Sequence, residues 1–124
     1  MSDVDATIDT YLQLLNETDD GRRAALVERV WTPDARWVDP PLESEGHAGI
    51  SDMVGGIHEH FPGHRFRRVS GIDTHHDRLR FAWELVAPDG TVLIAGTDVG
   101  ELAADGRLQR VTGFFGELPA TDAA

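Results

Sequence analysis

The sequence lacks cysteine and has no long hydrophobic run. The absence of cysteine excludes a disulfide scaffold, thiol catalysis and cysteine-ligated metals, and it is typical of proteins that work in a reducing compartment. No apolar stretch approaches the length that spans a bilayer, and no basic segment followed by an apolar one stands at the N-terminus. We therefore expect a cytoplasmic protein without a leader or a membrane segment.

Basic side chains are also scarce. The chain has 22 acidic residues against 11 basic ones, which gives a formal net charge of −11 and a pI near 4.7. Such a charge repels the phosphates of nucleic acids and the headgroups of anionic membranes, so we predict neither as a partner. The partner class that remains is a small neutral or apolar ligand.

The first half of the chain has the periodicity of helices. Its 124 residues suffice for one domain with a real core. Apolar residues at helical spacing predict a first helix, with a stripe made of Val4, Ile8, Tyr11, Leu12 and Leu15. A second helix is predicted from Asp20 until Pro33 ends it, and a third over 47–61. Because Tyr11 lies on the apolar stripe, its hydroxyl should point into the interior.

The second half has the period of two that is typical of strands. A short strand is predicted over 35–38, and a polar loop over 42–46 connects that strand to the third helix. Further strands are predicted over 65–74, 79–86, 91–102 and 107–117, with tight turns at 88–90 and 104–106. This order predicts an α+β fold, in which three N-terminal helices pack on one face of a strongly curved, mostly antiparallel sheet. Residues 118–124 are predicted to be a disordered tail.

Both faces of the predicted strand 91–102 are largely apolar. Val92, Ile94 and Gly96 alternate with Leu93 and Ala95 along this strand. Only one face can be covered by the helices, so we expect the other face to meet a second copy of the chain in a homodimer.

Tyr11, Asp39 and Asp98 are the candidate functional residues, because each polar group stands in an apolar stretch. A carboxylate in such surroundings needs partners if it is charged, and it becomes a hydrogen-bond donor if it is neutral. Each residue also has a structural interpretation. Asp39 could cap the Pro40-Pro41 turn, Asp98 could form an ion pair with Arg107 or Arg110, and Tyr11 could be a core tyrosine bonded to the backbone.

Aromatic side chains offer walls for an apolar pocket. The candidates for binding a substrate are Trp37, Phe66, Trp83 and Phe115. Core packing is the alternative role for each. The register of the last hairpin leaves open whether Phe114 or Phe115 faces the pocket. Gly96 and Gly100 either leave room for a ligand or mark a bulge or bend.

The six histidines do not form a metal-binding pattern. His58 and His60 are two residues apart on a predicted helix and so face different directions. Pro62-Gly63 breaks the helix between His60 and His64. We therefore predict no metal site.

The order of elements and several short motifs resemble the nuclear transport factor 2-like superfamily. The motifs are the Asp-Ala-Arg-Trp-Val-Asp-Pro segment at 34–40, the Gly-His start of the third helix at 46–47, Asp-Gly-Arg-Leu at 105–108 and Gly-Phe-Phe-Gly at 113–116. More narrowly they resemble the SnoaL-like group, which includes polyketide cyclases and steroid isomerases. The resemblance covers about 4–117. It implies a single SnoaL-like domain over 1–117, with a cone-shaped sheet and helices that enclose a pocket.

Within that superfamily the three candidate residues resemble those of Δ5-3-ketosteroid isomerase. That resemblance implies that Asp39 is a base for the carbon next to a ketone, while Tyr11 and a neutral Asp98 donate hydrogen bonds to the enolate oxygen. It implies a cyclic ketone as substrate and no cofactor. The alternatives are a polyketide cyclase, which would use Asp98 as acid and base in an aldol condensation, and a non-catalytic binding or assembly module.

Overall fold

The computed structural model describes residues 3–121, which form three helices and seven strands. The helices are α1 (Asp3–Leu15), α2 (Asp20–Val30) and α3 (Gly46–His60). The strands are β1 (Trp31–Val38), β2 (Glu43–Glu45), β3 (Arg65–Arg68), β4 (Asp73–His75), β5 (Arg78–Val86), β6 (Val92–Leu102) and β7 (Leu108–Phe115).

The strands form one mixed sheet in the order β2-β1-β7-β6-β5-β3, and β4 also pairs with β5. Every pairing is antiparallel except that of β1 with β7. The sheet is curved and does not close, and the three helices pack on its concave face. The predicted α+β class and architecture are therefore confirmed, with one parallel pair in an otherwise antiparallel sheet.

The core lies between the helices and the concave face. Ile8, Leu14 and Ile50 from the helices are fully buried against Leu85 and Leu108 from the sheet. Full burial of one such side chain contributes roughly 1.5–3 kcal/mol to folding, so this layer fixes the position of the helices on the sheet.

A buried arginine joins α2 to α3. Arg23 is only 6% exposed. Its Nε donates to the carbonyl of Ser51 at 3.0 Å and its Nη1 donates to the carbonyl of Glu17 at 3.2 Å. A Cβ at Gly55 would lie 2.8 Å from the Arg23 guanidinium, which explains a glycine in the middle of α3.

The first strand begins earlier than predicted, and the prediction that Pro33 ends α2 was wrong. Helix α2 ends at Val30, and β1 starts at Trp31 and contains Pro33. The pairing of β1 with β7 shifts register between Trp31 and Arg36, and β2 pairs only with the end of β1. Pro33 therefore lies where no ladder hydrogen bond from its nitrogen is needed.

The predicted strand over 65–74 is in fact two strands, β3 and β4, because the chain bends at Ser70. Val69 N donates to the Ala82 carbonyl at 2.9 Å, and Ala82 N donates to Ser70 Oγ at 2.8 Å. A serine hydroxyl thus replaces one backbone carbonyl of the ladder, and both strands still pair with β5.

Part of the predicted polar loop over 42–46 is the short strand β2, which pairs with the end of β1. At the other end of the chain, residues 118–121 have no helix or strand and are exposed. The rest of the predicted tail lies outside the described residues. None of the helices within 3–121 has the length and apolar character needed to cross a membrane.

The convex face of the sheet is exposed and partly apolar. Leu93 and Val99 on β6 are 48% and 40% exposed, and Phe114 on β7 is 61% exposed. The Cα of Phe114 is paired with that of Thr97, in the middle of this face. We call Leu93, Val99 and Phe114 the outer apolar patch.

Candidate active site

Tyr11, Asp39 and Asp98 line one cavity between the helices and the concave face of the sheet. Its volume is about 70 Å³. The remaining lining is apolar and consists of Leu15, Trp37, Pro41, Leu42, Ile57, Phe61, Phe66, Trp83, Leu85, Ile94 and Phe115. Within residues 3–121, the only polar side-chain groups of the lining apart from the indole N–H groups are therefore the phenol and the two carboxyl groups.

Asp98 is the most deeply buried acid in the part of the chain that the structure describes, with 4% of its surface exposed. Tyr11 Oη donates to its Oδ2 at 2.9 Å, and Trp83 Nε1 donates to its Oδ1 at 3.0 Å. Burial raises the pKa of Asp98 to about 7, although the two hydrogen bonds oppose that rise. The neutral acid and the carboxylate are therefore both accessible near neutral pH.

Tyr11 projects from α1 into a cluster of three aromatic side chains. Its ring makes edge contacts with Trp31, Trp37 and Phe81, at centroid distances of 5.9, 6.3 and 6.2 Å. Burial, followed by the charge of Asp98, raises the pKa of the phenol well above its ordinary value. Tyr11 therefore keeps its proton at neutral pH and can act as a hydrogen-bond donor.

Asp39 follows β1 at the mouth of the cavity. Its Oδ1 accepts from Leu42 N at 3.1 Å, and its own N donates to the Leu42 carbonyl at 2.9 Å. Its Oδ2 has no hydrogen-bond partner among residues 3–121. Burial raises the pKa of Asp39, and the Leu42 hydrogen bond opposes that rise. The expectation that Asp39 caps the proline turn is thus confirmed, and the same carboxyl group also reaches the cavity.

Gly113 on β7 allows Asp39 and Asp98 to approach each other. Its Cα is paired with that of Asp98, and a Cβ at this position would lie 3.0 Å from Asp98 Oδ1 and 3.2 Å from Asp39 Cβ. The sequence predicted no role for Gly113 in the site. The available signal was its place in the Gly-Phe-Phe-Gly segment, on the strand between those of the two acids.

The four aromatic candidates all line the cavity. Trp83 lies between Phe66 and Phe115, with edge contacts at 5.7 and 5.8 Å. Trp37 packs against Tyr11 from β1. The register of β7 turns Phe115 inward and Phe114 outward, which answers the question that the sequence left open.

Three interpretations from the sequence are wrong: two structural ones and the ligand space expected beside two glycines. Asp98 pairs with Tyr11 and Trp83 rather than with an arginine, since Arg107 binds Asp105 at 2.8 Å. Tyr11 bonds to that carboxyl group rather than to the backbone. The space beside Gly96 and Gly100 is filled by Trp83 and Leu79, so neither glycine leaves room for a ligand.

The described residues that line the cavity include no cationic side chain and no histidine. Four histidines contact backbone carbonyls instead: His47 Nε2 that of Trp31 at 2.8 Å, His58 Nε2 that of Leu15 at 2.7 Å, His60 Nδ1 that of Gly56 at 2.8 Å and His64 Nδ1 that of Pro62 at 3.1 Å. Between Asp3 and Thr121, no three histidine, aspartate or glutamate side chains come close enough together to hold a metal ion. The chemistry that this site can perform is therefore that of two carboxyl groups and a phenol.

Comparison with known structures shows the same fold in several bacterial proteins. A SnoaL-like family protein from Agrobacterium tumefaciens strain C58, provisionally named an isomerase, is 38% identical, and the match covers 94% of this chain and 100% of that chain at a TM-score of 0.89. A protein of unknown function with a cystatin-like fold, from Methylobium petroleophilum PM1, is 20% identical, with coverages of 98% and 81% and a TM-score of 0.75.

A SnoaL-like protein from Jannaschia sp. CCS1, provisionally named a polyketide cyclase, is 18% identical, with coverages of 88% and 84% and a TM-score of 0.66. The likeness to this protein and to the Methylobium protein concerns the fold alone. A search of the curated proteins gave no significant match. The sequence profile of the SnoaL-like domain matches residues 8–111, which is most of the chain. The chain therefore belongs to the SnoaL-like domain family.

Proposed function

We propose that this protein is a cofactor-free isomerase that moves a proton next to the carbonyl group of a small cyclic ketone. The observation that carries the proposal is that two acids, Asp39 and Asp98, come together at Gly113 and line an otherwise apolar cavity, with the Tyr11 hydroxyl bonded to Asp98. One acid has a free oxygen at the mouth, and the other is buried and joined to a phenol. These are the two environments that separate a base from an acid.

In the proposed reaction Asp39 is the base. Its unpartnered Oδ2 accepts a proton from the carbon next to the ketone, and the electrons of the broken C–H bond move onto the ketone oxygen to form an enolate. Hydrogen bonding from the Tyr11–Asp98 pair stabilises that oxygen where its charge develops. Asp39 then returns the proton to the γ-carbon, and the double bond comes into conjugation with the ketone. No oxidant or cofactor is needed for this balance.

The size of the cavity favours a small substrate. Ligand pockets usually measure about 300–1,000 Å³, and this cavity measures about 70 Å³. A single ring requires the mouth to widen, and a four-ring steroid requires much more. Leu42, which is 40% exposed, is the most exposed large apolar residue of the lining, so widening is expected there first. We therefore place a monocyclic ketone ahead of a steroid.

A specific observation favours a second candidate. Asp98 has a pKa of about 7, which is the value that suits an acid and base in an aldol condensation of the kind that polyketide cyclases catalyse. In that reaction Asp98 itself exchanges the proton, and Asp39 only shapes the mouth. The two candidates therefore assign the essential proton transfer to different carboxyl groups.

The test is an ultraviolet assay for conversion of cyclohex-3-enone into its conjugated isomer, with a β,γ-unsaturated 3-ketosteroid run in parallel. Asp39→Asn is the main variant, because an asparagine oxygen still accepts from Leu42 N and keeps the turn. Asp52→Asn, which changes an exposed aspartate on α3, is the matched control. The isomerase proposal predicts a rate that falls at least 100-fold in Asp39→Asn and is unchanged in Asp52→Asn.

The other outcomes separate the alternatives. A rate that persists in Asp39→Asn and is lost in Asp98→Asn would favour Asp98 as the acid and base. If the wild type binds cyclohex-3-enone but converts neither compound, the non-catalytic binding module replaces the isomerase.

We also propose that the protein is a cytoplasmic homodimer that buries the outer apolar patch. The outer apolar patch exposes three large apolar side chains on one face, and exposed apolar patches of soluble proteins commonly mark protein–protein interfaces. The active site would then lie on the opposite side of the sheet from the partner.

A further inference from the structure

The Trp83 indole can point towards Asp98 because Gly96 has no side chain. The Cα atoms of Trp83 and Gly96 are paired across β5 and β6, and a Cβ at position 96 would lie 2.4 Å from Cζ2 and 2.7 Å from Cε2 of the indole. The indole therefore occupies the space that a side chain at position 96 would take. Phe66 and Phe115 hold its other sides. This packing places Nε1 at 3.0 Å from Asp98 Oδ1.

The indole nitrogen can only donate a hydrogen bond. Oδ1 of Asp98 must therefore accept, whether the acid is charged or neutral, because a proton on Oδ1 would compete with the Trp83 N–H. When Asp98 is neutral, its proton belongs on Oδ2. The nearest partner of Oδ2 is Tyr11 Oη at 2.9 Å.

The position of that proton decides what Tyr11 does. When Asp98 is a carboxylate, the Tyr11 hydroxyl donates to Oδ2. When Asp98 is neutral, Oδ2 donates to Tyr11 Oη, and the hydrogen of Tyr11 is released for an acceptor in the cavity. Only the second arrangement offers a donor to a bound ketone.

We propose that Trp83 is a positioning residue, which confines the proton of Asp98 to Oδ2 so that Tyr11 can donate its own hydrogen to the ligand. The role in catalysis rests on the proposed function. The arrangement itself follows from Gly96, the aromatic packing and the two distances, and it is independent of any reaction.

Few titratable groups surround Asp98. Tyr11 approaches from α1 and Asp39 from the end of β1, while β5 contributes Phe81 and Trp83, and β7 contributes Gly113. The Tyr11 phenol keeps its proton through the neutral range. As Asp98 ionises, the Tyr11 hydroxyl therefore changes from accepting a hydrogen bond from Asp98 to donating one to it. The midpoint of this change is expected near the Asp98 pKa of about 7.

The experiment is a pH titration of the ligand-free protein by NMR. Tyr11 is the only tyrosine, so labelling tyrosine with ¹³C at Cζ gives one resonance. The second probe is the ¹³C resonance of the Asp98 carboxyl group, which is assigned with Asp98→Asn. In the wild type we expect both resonances to titrate with one midpoint.

Trp83→Phe keeps a ring between Phe66 and Phe115 and removes the N–H. Loss of this donor to the carboxylate should raise the midpoint of Asp98 by about one pH unit. The proton should then divide between the two oxygens, so the Tyr11 signal should change less. Trp31→Phe is the matched control, since the Trp31 indole N–H has no hydrogen-bond partner among the described residues and its ring does not line the cavity. Because that ring contacts the Tyr11 ring, the comparison concerns the titration midpoint and not the chemical shift itself. An unchanged midpoint and amplitude in a folded Trp83→Phe protein would overturn the proposal.

A second measurement does not depend on the folding of that variant. In the wild type the ¹⁵N–H resonance of the Trp83 indole should titrate with the Asp98 midpoint, and that of Trp31 should not. A Trp83 resonance indifferent to pH would overturn the proposal as well. If the resonances titrate together but no ketone is converted, the proposed function fails while the role of Trp83 in the pair stands. Conversion of a ketone without joint titration would support the proposed function and overturn the role of Trp83.

Discussion

Replacing Asp98 with asparagine should remove most of the pH dependence of stability between pH 5 and pH 8. Asparagine has the shape of the neutral acid: its oxygen can accept from Trp83 and its amide can donate to Tyr11. Asp98→Asn therefore retains both hydrogen bonds and cannot ionise.

The sign follows from the pKa of Asp98, which rises from 3.8 in the unfolded chain to about 7 in the folded protein. The folded state binds this proton more tightly, so Asp98 stabilises the protein fully below the unfolded pKa. That contribution is lost as the pH rises through the folded pKa. Between pH 5 and pH 8 the loss is about 3 kcal/mol in the free energy of unfolding. Because Asp98 is almost fully buried, solvent screening reduces this change in the free energy of unfolding only slightly.

The assay is urea unfolding of the wild type and of Asp98→Asn at pH 5 and at pH 8, followed by tryptophan fluorescence. With a slope of about 1–3 kcal/mol per molar urea, the wild-type midpoint should fall by roughly 1–3 M more than that of the variant. The acids with lowered pKa values, such as Asp19 and Asp105, titrate below this window and are common to both proteins. Parallel pH dependence in the two proteins would refute a neutral Asp98.

Three further predictions concern neighbouring features. Tyr11→Phe removes a donor to the Asp98 carboxylate, so it should raise the pKa of Asp98 above about 7 in the carboxyl titration. It should also lower the proposed isomerisation rate by at least 10-fold. An unchanged pKa of Asp98 would contradict the Tyr11–Asp98 hydrogen bond. Gly113→Ala places a methyl group 3.0 Å from Asp98 Oδ1 and 3.2 Å from Asp39 Cβ. It should therefore lower the free energy of unfolding in urea by about 1–3 kcal/mol and reduce turnover. Wild-type stability and turnover in this variant would show that the two acids do not meet at Gly113. Phe114→Glu should convert the proposed homodimer to monomer in sedimentation velocity, and Leu118→Glu, a change at an exposed residue beyond the sheet, should not; a monomeric wild type or a dimeric Phe114→Glu would exclude this face as the interface.

The sequence predicted the fold well because the elements that define it have strong periodic patterns. Helix α1 and strands β5 to β7 were predicted to within a few residues, since each buries one regular face. The errors lie where tertiary pairing overrides the local pattern. Pro33 is tolerated in β1 because the ladder is interrupted there, and Ser70 divides a predicted strand by substituting its hydroxyl for a carbonyl.

The sequence also identified the three polar residues of the cavity, but not how they are connected. An apolar context marks Asp98 as unusual, yet only the register of β5 against β6 shows that Trp83 donates to it. The same holds for Gly113, whose importance comes from two strands that are distant in sequence. The small volume of the cavity depends on packing of many side chains at once and has no local signal.

The most direct test of the central claim is removal of the proton between the ketone and the double bond of a substrate in D₂O. Cyclohex-3-enone would be incubated in D₂O with the wild type, Asp39→Asn and Asp52→Asn, and loss of that proton signal would be followed by NMR. If Asp39 is the base, the wild type and Asp52→Asn should accelerate the loss above the uncatalysed rate, whether the proton is exchanged for deuterium or transferred to the γ-carbon, and Asp39→Asn should not. Equal loss in the wild type and Asp39→Asn would show that Asp39 is not the base.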